Sequence, residues 1–149
     1  MKKLLLLSAL LIFSSRSFSQ TEVINGISFD APEKNFIYQG DLFWIDGIES
    51  IKIVYGEGEL MKDSFKSHCE DMSTKDLEFL KYDTTNFSGK EIEVCFRKIV
   101  TNNPNLLLME TRVYKKGFTY FIKTTAELSS NGVNRASYLM GYVIGNIFM

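Results

Sequence analysis

The sequence contains few of the residues from which chemical sites are built. Its 149 residues include one histidine, His68, and two cysteines, Cys69 and Cys95. A structural zinc site takes four nitrogen or sulfur ligands, so this set is too small for one. No glycine- and lysine-containing phosphate loop occurs. We therefore predict no metal and no cofactor, while a calcium site made of carboxylates alone stays open.

Proline and runs of positive charge are also scarce. Pro32 and Pro104 are the two prolines, and no segment repeats or has low complexity. This indicates one domain, from residue 20 to residue 149. Without residues 1–19 the chain has 14 basic and 18 acidic residues, a formal charge of −4. That charge argues against nucleic acid and against an anionic membrane surface as partners.

Residues 1–19 have the pattern of a secretory signal peptide. Two lysines precede a run from Leu4 to Phe13 that is apolar apart from Ser8, and the small residues Ser17 and Ser19 precede the expected cut. The run is too short to cross a bilayer core of ~30 Å, so we predict no membrane span. The sequence predicts an exported protein, either periplasmic or secreted.

Three consecutive segments near the end predict an antiparallel meander. They read KEIEVCFRKIV, LLLMETRVY and FTYFIKTTAEL, with turn residues between them. In the first segment Ile92, Val94 and Phe96 alternate with Glu93, Cys95 and Arg97. One face of this sheet should therefore be strongly apolar and the other mixed.

The rest of the chain predicts helices packed on this sheet. Residues 134–149 have apolar side chains at helical spacing, and residues 58–72 suggest a second helix. Residues 23–30 read as one strand, residues 41–45 and 49–55 as a hairpin, and residues 73–88 as a polar connection. The predicted class is α+β: an antiparallel sheet with a C-terminal three-strand meander, flanked by helices.

This order is similar to that of the PsbP-like fold family. The resemblance rests on the entry INGISFDAPEKNF, the helix after the second hairpin, the turn-like NFSGKEIEV before the meander, and the closing amphipathic helix. It covers most of Ile24 to Phe148. The resemblance implies an exported binding or assembly factor without catalysis, and it supplies no functional residue.

The pair His68 and Asp71 is the candidate for catalysis. Neighbours on a helix point about 100° apart, so His68 and Cys69 cannot form a dyad. Asp71, three residues on, is placed to orient the imidazole. A small hydrolase using His68 with Asp71 is therefore the alternative function. A catalytic histidine needs specific neighbouring groups, and a single histidine at the edge of an apolar stripe is common on structural helices. We therefore favour a structural role for His68 and predict no enzyme and no catalytic residue.

Aromatic residues are concentrated around residues 36–44. Tyr38, Phe43 and Trp44 are the candidates for a ligand cleft, with Phe36 beside them. Strands also favour aromatic side chains, so core packing is the competing interpretation. The predicted function is a non-catalytic domain that binds an envelope protein or a small apolar ligand. The oligomeric state cannot be read from the sequence.

Cys69 and Cys95 are candidates for a disulfide. Cys69 lies on the apolar stripe of its predicted helix with Met61, Phe65 and Met72, and Cys95 lies mid-strand on the mixed face. Exported compartments are oxidising, which makes pairing plausible. The two residues meet only if this helix covers the mixed face. Otherwise both thiols should be buried and unreactive.

The exported protein should begin at Gln20, because the cut follows the small residue Ser19. Intact mass and N-terminal sequencing of protein recovered from the cell envelope or medium test this. Recovery of a chain that still starts at Met1 would contradict the signal peptide.

Overall fold

The computed structural model describes residues 21–59, 62–87, 89–101 and 104–149, and in these residues the chain forms nine strands and two helices. The strands are β1 (Glu22–Ile24), β2 (Ile27–Phe29), β3 (Ile37–Gly40), β4 (Phe43–Asp46), β5 (Glu49–Glu57), β6 (Leu77–Phe87), β7 (Lys90–Ile99), β8 (Leu106–Lys115) and β9 (Phe118–Glu127). The helices are α1 (Lys62–Asp71) and α2 (Ser130–Phe148).

Seven of the described strands form one antiparallel sheet with a helix on each face. The strand order is β3-β4-β5-β9-β8-β7-β6, and β1 pairs with β2 in a separate hairpin. Val94 belongs to the core under α2, and its neighbour Cys95 to a smaller cluster under α1. Because successive side chains of a strand point to opposite faces, the two helices lie on opposite sides. The predicted α+β class is confirmed.

The apolar face of the sheet and α2 form the main core. Helix α2 packs against β2, β5, β8 and β9. The largest fully buried side chains of this core are Phe29, Trp44, Ile51, Leu107, Met109, Tyr120, Ile122, Leu139, Met140, Ile144 and Ile147. The predicted three-strand meander is confirmed as β7-β8-β9. Its second turn places Lys116 and Gly117 at φ 50° and 86°, as a two-residue hairpin requires.

Residues 23–30, predicted as one strand, form the two short strands β1 and β2. Asn25 and Gly26 have φ of 53° and 77°. Positive φ at both central residues is the property of a type I′ turn, which Asn-Gly adopts readily. Ile24 then pairs with Ile27 across the turn. Asn-Gly between apolar residues is itself a hairpin signal, so reading residues 23–30 as one strand overlooked it.

The polar connection predicted over residues 73–88 is wrong, because these residues contain strand β6. It pairs with β7 along its full length. As an edge strand it has β7 on one side, and most of its side chains are exposed. A bulge at Leu80, between Phe79 and Lys81, also shifts the register. Exposure and the bulge together removed the period-two pattern by which strands are predicted.

Helix α2 begins at Ser130, earlier than the predicted residue 134. The side chain of Ser129 caps it by accepting a hydrogen bond of 3.1 Å from the backbone N–H of Gly132. Gly132 lies so close to β9 that a Cβ atom there would be 1.7 Å from the carbonyl oxygen of Glu127. The cap and this glycine, and not the apolar stripe, decide where the helix starts.

Helix α1 places two of the predicted stripe residues against the sheet. Phe65 and Cys69 are buried against Phe79 and Tyr82 of β6. Met72 was predicted on the same stripe, but the helix ends before it and its side chain is 43% exposed. Met61 lies outside the described residues. The stripe is therefore short, so apolar burial by α1 alone is limited.

A disulfide joins Cys69 of α1 to Cys95 of β7. Their Cα atoms are 5.7 Å apart, inside the usual range of roughly 4.4–6.8 Å. Both residues are fully buried. The helix thus covers the mixed face of β7, which is the condition that the sequence sets for pairing.

We expect the protein to form this bond in an oxidising environment and to be less stable when it is reduced. The closed loop has a sequence separation of 26, for which the chain-entropy relation gives ~3.5 kcal/mol. Urea unfolding with and without reductant measures this difference. The double variant Cys69→Ala, Cys95→Ala is the control, because reductant should leave its stability unchanged. Rapid alkylation of Cys69 in the native, unreduced protein would contradict the bond.

Candidate functional site

The mixed face of the sheet is covered by α1 over β6 and β7 and is exposed over β3, β4, β5 and β9. We call this exposed part the open sheet face. Its apolar and basic side chains are Ile37, Phe43, Ile45, Lys52, Val54, Phe121 and Lys123. Ile37 is 62% exposed and Val54 is 46% exposed. Phe43, Ile45 and Phe121 on the same face are half-buried. Apolar side chains grouped on an uncovered face are typical of interaction surfaces.

A cavity of about 210 Å³ lies where α1 meets the open sheet face. Its lining consists of Val54, Phe65, His68, Glu110, Thr111, Phe121, Ile122 and Lys123. Sites for drug-sized ligands usually measure about 300–1,000 Å³. The cavity is therefore of a size for one large apolar side chain.

An ion-pair network forms the polar side of this cavity. Arg97 is 1% exposed, and its Nε lies 2.8 Å from Glu110 Oε2. Its other nitrogens donate to the carbonyl oxygens of His68 at 3.1 Å and of Met72 at 2.5 Å. The second oxygen of Glu110 lies 3.0 Å from Lys123 Nζ. Arg97 thereby anchors the end of α1, and Glu110 holds Lys123 at the mouth of the cavity.

A second, half-buried contact lies beside α1 between β6 and β7. The hydroxyl of Tyr82 donates to Glu93 Oε1 at 2.6 Å. Burial, and then this carboxylate, raise the pKa of Tyr82 to about 12. The hydroxyl therefore keeps its proton, and the hydrogen bond, through the physiological range of pH.

The catalytic pair considered from the sequence does not assemble. Asp71 Oδ2 accepts a hydrogen bond from Ser67 Oγ at 3.2 Å. In the described part of the chain no hydrogen bond joins Asp71 to the imidazole of His68, which lines the cavity instead. The nearby sulfur of Cys69 is in the disulfide. The geometry thus gives no support to a hydrolase that uses His68 with Asp71.

The aromatic residues around 36–44 are divided between the faces of the sheet. Phe36 and Trp44 are buried in the core under α2. Phe43 lies on the open sheet face, where Lys52 Nζ is 5.9 Å from its ring centroid. Tyr38 packs on Trp44 with a centroid distance of 5.2 Å. Ligand binding by Tyr38, Phe43 and Trp44 stays a prediction, and the three do not share one cavity.

Tyr38 lines a second, larger cavity of about 360 Å³ at the edge of β5. We call it the β5 cleft. Its lining consists of Glu22, Ile24, Tyr38, Asp41, Leu42, Lys52, Ile53, Val54 and Tyr55. Burial raises the pKa of Tyr38 above its usual value, and the neighbouring Glu22 acts in the same direction. The Tyr38 hydroxyl accepts a long hydrogen bond of 3.5 Å from the N–H of Leu42.

The arrangement of strands and helices is similar to that of a solved structure. The solution structure of cyanobacterial PsbP (CyanoP) from Synechocystis sp. PCC 6803 matches with a TM-score of 0.50. The match covers 85% of this chain and 89% of that chain. The chain has a PsbP-like fold. The resemblance predicted from the sequence is therefore confirmed at the level of the fold.

The likeness extends to the PsbP-like fold alone, because sequence identity over the match is 15%. No protein-family model and no curated protein matches this sequence. Functional residues must therefore be inferred from this chain's own geometry.

In the described residues of this PsbP-like fold, no helix is long and apolar enough to cross a membrane. The same part of the chain contains no group of three or more His, Cys, Asp or Glu residues arranged to hold a metal ion. Function without a metal stays a prediction.

Substitution of Glu110 by Gln should lower the free energy of unfolding by about 3 kcal/mol. The change leaves the buried charge of Arg97 without its counterion, and breaking such a pair typically costs about 3–5 kcal/mol. The control is Glu78→Gln, which removes the exposed ion pair with Lys98 at 3.3 Å and should cost less than about 1 kcal/mol. Urea unfolding of both variants tests this. Equal losses would contradict a structural role for the Arg97–Glu110 pair.

Proposed function

We propose that this protein is an exported, non-catalytic binding module that docks on an envelope protein through the open sheet face. The observation that carries the proposal is the junction of this exposed apolar face with the cavity of about 210 Å³. Protein interfaces gain most of their affinity from a few anchor side chains that fill pockets, surrounded by contacts that exclude water. Here the cavity is the pocket, and the open sheet face is its surround.

The lysines of the open sheet face suggest what the partner carries. Lys52 and Lys123 are direct neighbours across β5 and β9. The acidic residue closest to them on this face, Glu110, is already shared between Arg97 and Lys123. A partner with carboxylates beside its apolar anchor would complement this charge. Such complementarity raises the rate of association and orients the partner.

The proposal of export rests on the sequence, and the proposal that the protein is not an enzyme rests on the residues of the cavity. The signal-peptide pattern of residues 1–19 supports export. His68 is the chain's one histidine and lines this cavity, while its candidate partner Asp71 accepts a hydrogen bond from Ser67. Binding of an apolar side chain of the partner explains this cavity, with His68 at its border, and no catalysed reaction is needed.

Site-specific photo-crosslinking should identify the partner. A photoreactive p-benzoylphenylalanine is introduced at Ile37, which is 62% exposed on the open sheet face. The control position is Tyr138, which is 50% exposed on α2. Irradiation of producing cells should give a discrete protein adduct at Ile37 and none at Tyr138. Adducts at both positions, or at neither, would contradict docking by this face.

Truncation of the cavity wall should then weaken the complex. Phe121→Ser should reduce affinity for the crosslinked partner roughly 5- to 30-fold, as expected when an anchor pocket is opened. Tyr138→Ser is the matched aromatic control and should leave affinity unchanged. Titration of the purified partner into each variant measures this. Equal affinity of Phe121→Ser and wild type would contradict the role of the cavity as an anchor pocket. A small apolar compound found in the cavity would contradict the protein partner and indicate a ligand-binding function instead.

A further inference from the structure

Strand β5 is longer than its neighbour β4, so within the described residues part of its edge has no strand beside it. Pairing with β4 ends where Phe43 meets Lys52. At the next residue of β5, the N–H of Ile53 donates a hydrogen bond of 3.0 Å to the carbonyl oxygen of Leu42. Backbone groups alternate in direction along an antiparallel strand. The N–H and C=O groups of Tyr55 and Glu57 therefore point to this same side, away from β9.

A turn of unusual conformation carries the chain away from this edge. Gly40, Asp41 and Leu42 have φ of 90°, 50° and 53° in succession. Positive φ is uncommon for residues other than glycine and is an outlier for a bulky residue such as leucine. Burial holds it, since Leu42 is 5% exposed. The edge beside Tyr55 is thus open because of a strained, well-packed turn, of a kind that clusters at binding sites.

The β5 cleft lies at this open edge. Its apolar walls come from Ile24, Leu42 and Val54, with the rings of Tyr38 and Tyr55 beside them. Its charged lining residues are Glu22, Asp41 and Lys52, and Glu57 follows at the end of the strand. The cleft therefore combines a row of backbone donors and acceptors with an apolar lining and an excess of acidic groups.

We propose that the β5 cleft binds an extended peptide segment of a partner protein, which adds as a short strand beside Tyr55 and Glu57. In strand addition, main-chain hydrogen bonds supply affinity and pockets for alternate side chains supply specificity. The acidic rim calls for basic side chains that alternate with apolar ones. The β5 cleft borders the open sheet face and shares Lys52 and Val54 with it, but strand addition uses the backbone of Tyr55 and Glu57, and its test changes neither Ile37 nor Phe121.

Hydrogen exchange of the purified mature protein tests the open edge without any ligand. The amides of Tyr55 and Glu57 should exchange at least a hundredfold faster than those of Val54 and Gly56, which point into the ladder with β9. Amide-resolved NMR measures the four rates. Equal protection of Tyr55 and Val54 would overturn the proposal.

Peptides selected on the mature protein from a phage-displayed library of random ten-residue sequences test the occupant. Enriched peptides should alternate apolar and basic residues and should protect the amides of Tyr55 and Glu57. Tyr55→Pro removes the outward N–H and should weaken their binding at least fivefold, whereas Tyr55→Ala removes the ring but keeps the N–H and should have a smaller effect.

N-methylated versions of the best peptide test the same contact on the unchanged protein. Methylation of the amides that face β5 should abolish binding, and methylation of the alternate amides should be tolerated. Equal sensitivity of both sets would overturn strand addition. Peptides that protect other amides would also overturn it. The same holds if no peptide is enriched and the apolar dye 1-anilinonaphthalene-8-sulfonate binds in the cleft.

Discussion

The structure of the mixed face depends on the ion pair and hydrogen bonds made by the buried guanidinium of Arg97. A charge removed from water is costly unless it is paired and hydrogen-bonded. Glu110 from β8 supplies the opposite charge for Arg97, and the carbonyl oxygens of His68 and Met72 at the end of α1 accept its hydrogen bonds. These carbonyls carry the partial negative charge of a helix C-terminus. The position of α1 on the sheet is therefore set by electrostatics as well as by packing.

The placement of α1 determines the candidate site. Phe65 forms a wall of the cavity because α1 is held against β6 and β7, and Cys69 meets Cys95 for the same reason. Lys123 stands at the mouth because Glu110 is shared with Arg97. A helix that covered the whole mixed face would leave no open sheet face. The short apolar stripe of α1 is thus the reason that the open sheet face stays uncovered.

The apolar face of the sheet, opposite the mixed face, forms the main core with α2. Helix α2 buries a continuous apolar surface of the sheet, and Arg135 on this helix pairs with both Glu33 and Glu49. The hydrogen bond from Arg135 lowers the pKa of Glu33, so the contact is present near neutral pH. These pairs tie the segment before β3 and the start of β5 to α2. The larger apolar core lies on this face, and the mixed face has the smaller cluster under α1.

The sequence by itself determined the elements whose signals are local. Alternation along β7, β8 and β9 predicted the meander and its two kinds of face, and the apolar spacing around Leu139 and Val143 predicted α2. The order of these elements was enough to identify the PsbP-like fold. It also placed Cys69 and Cys95 on surfaces able to meet.

Only the tertiary structure decided which residues gather into sites. Strand β6 was missed because an edge strand pairs on one side and needs no apolar pattern, and the bulge at Leu80 broke what remained. Trp44 looked like a ligand residue but is buried, since the register with Ile51 turns it toward α2. Arg97, Glu110 and Phe121 come from three different strands, and no spacing along the chain relates them. Their meeting follows from strand order and the direction of each side chain, which are properties of the assembled sheet and not of any one segment.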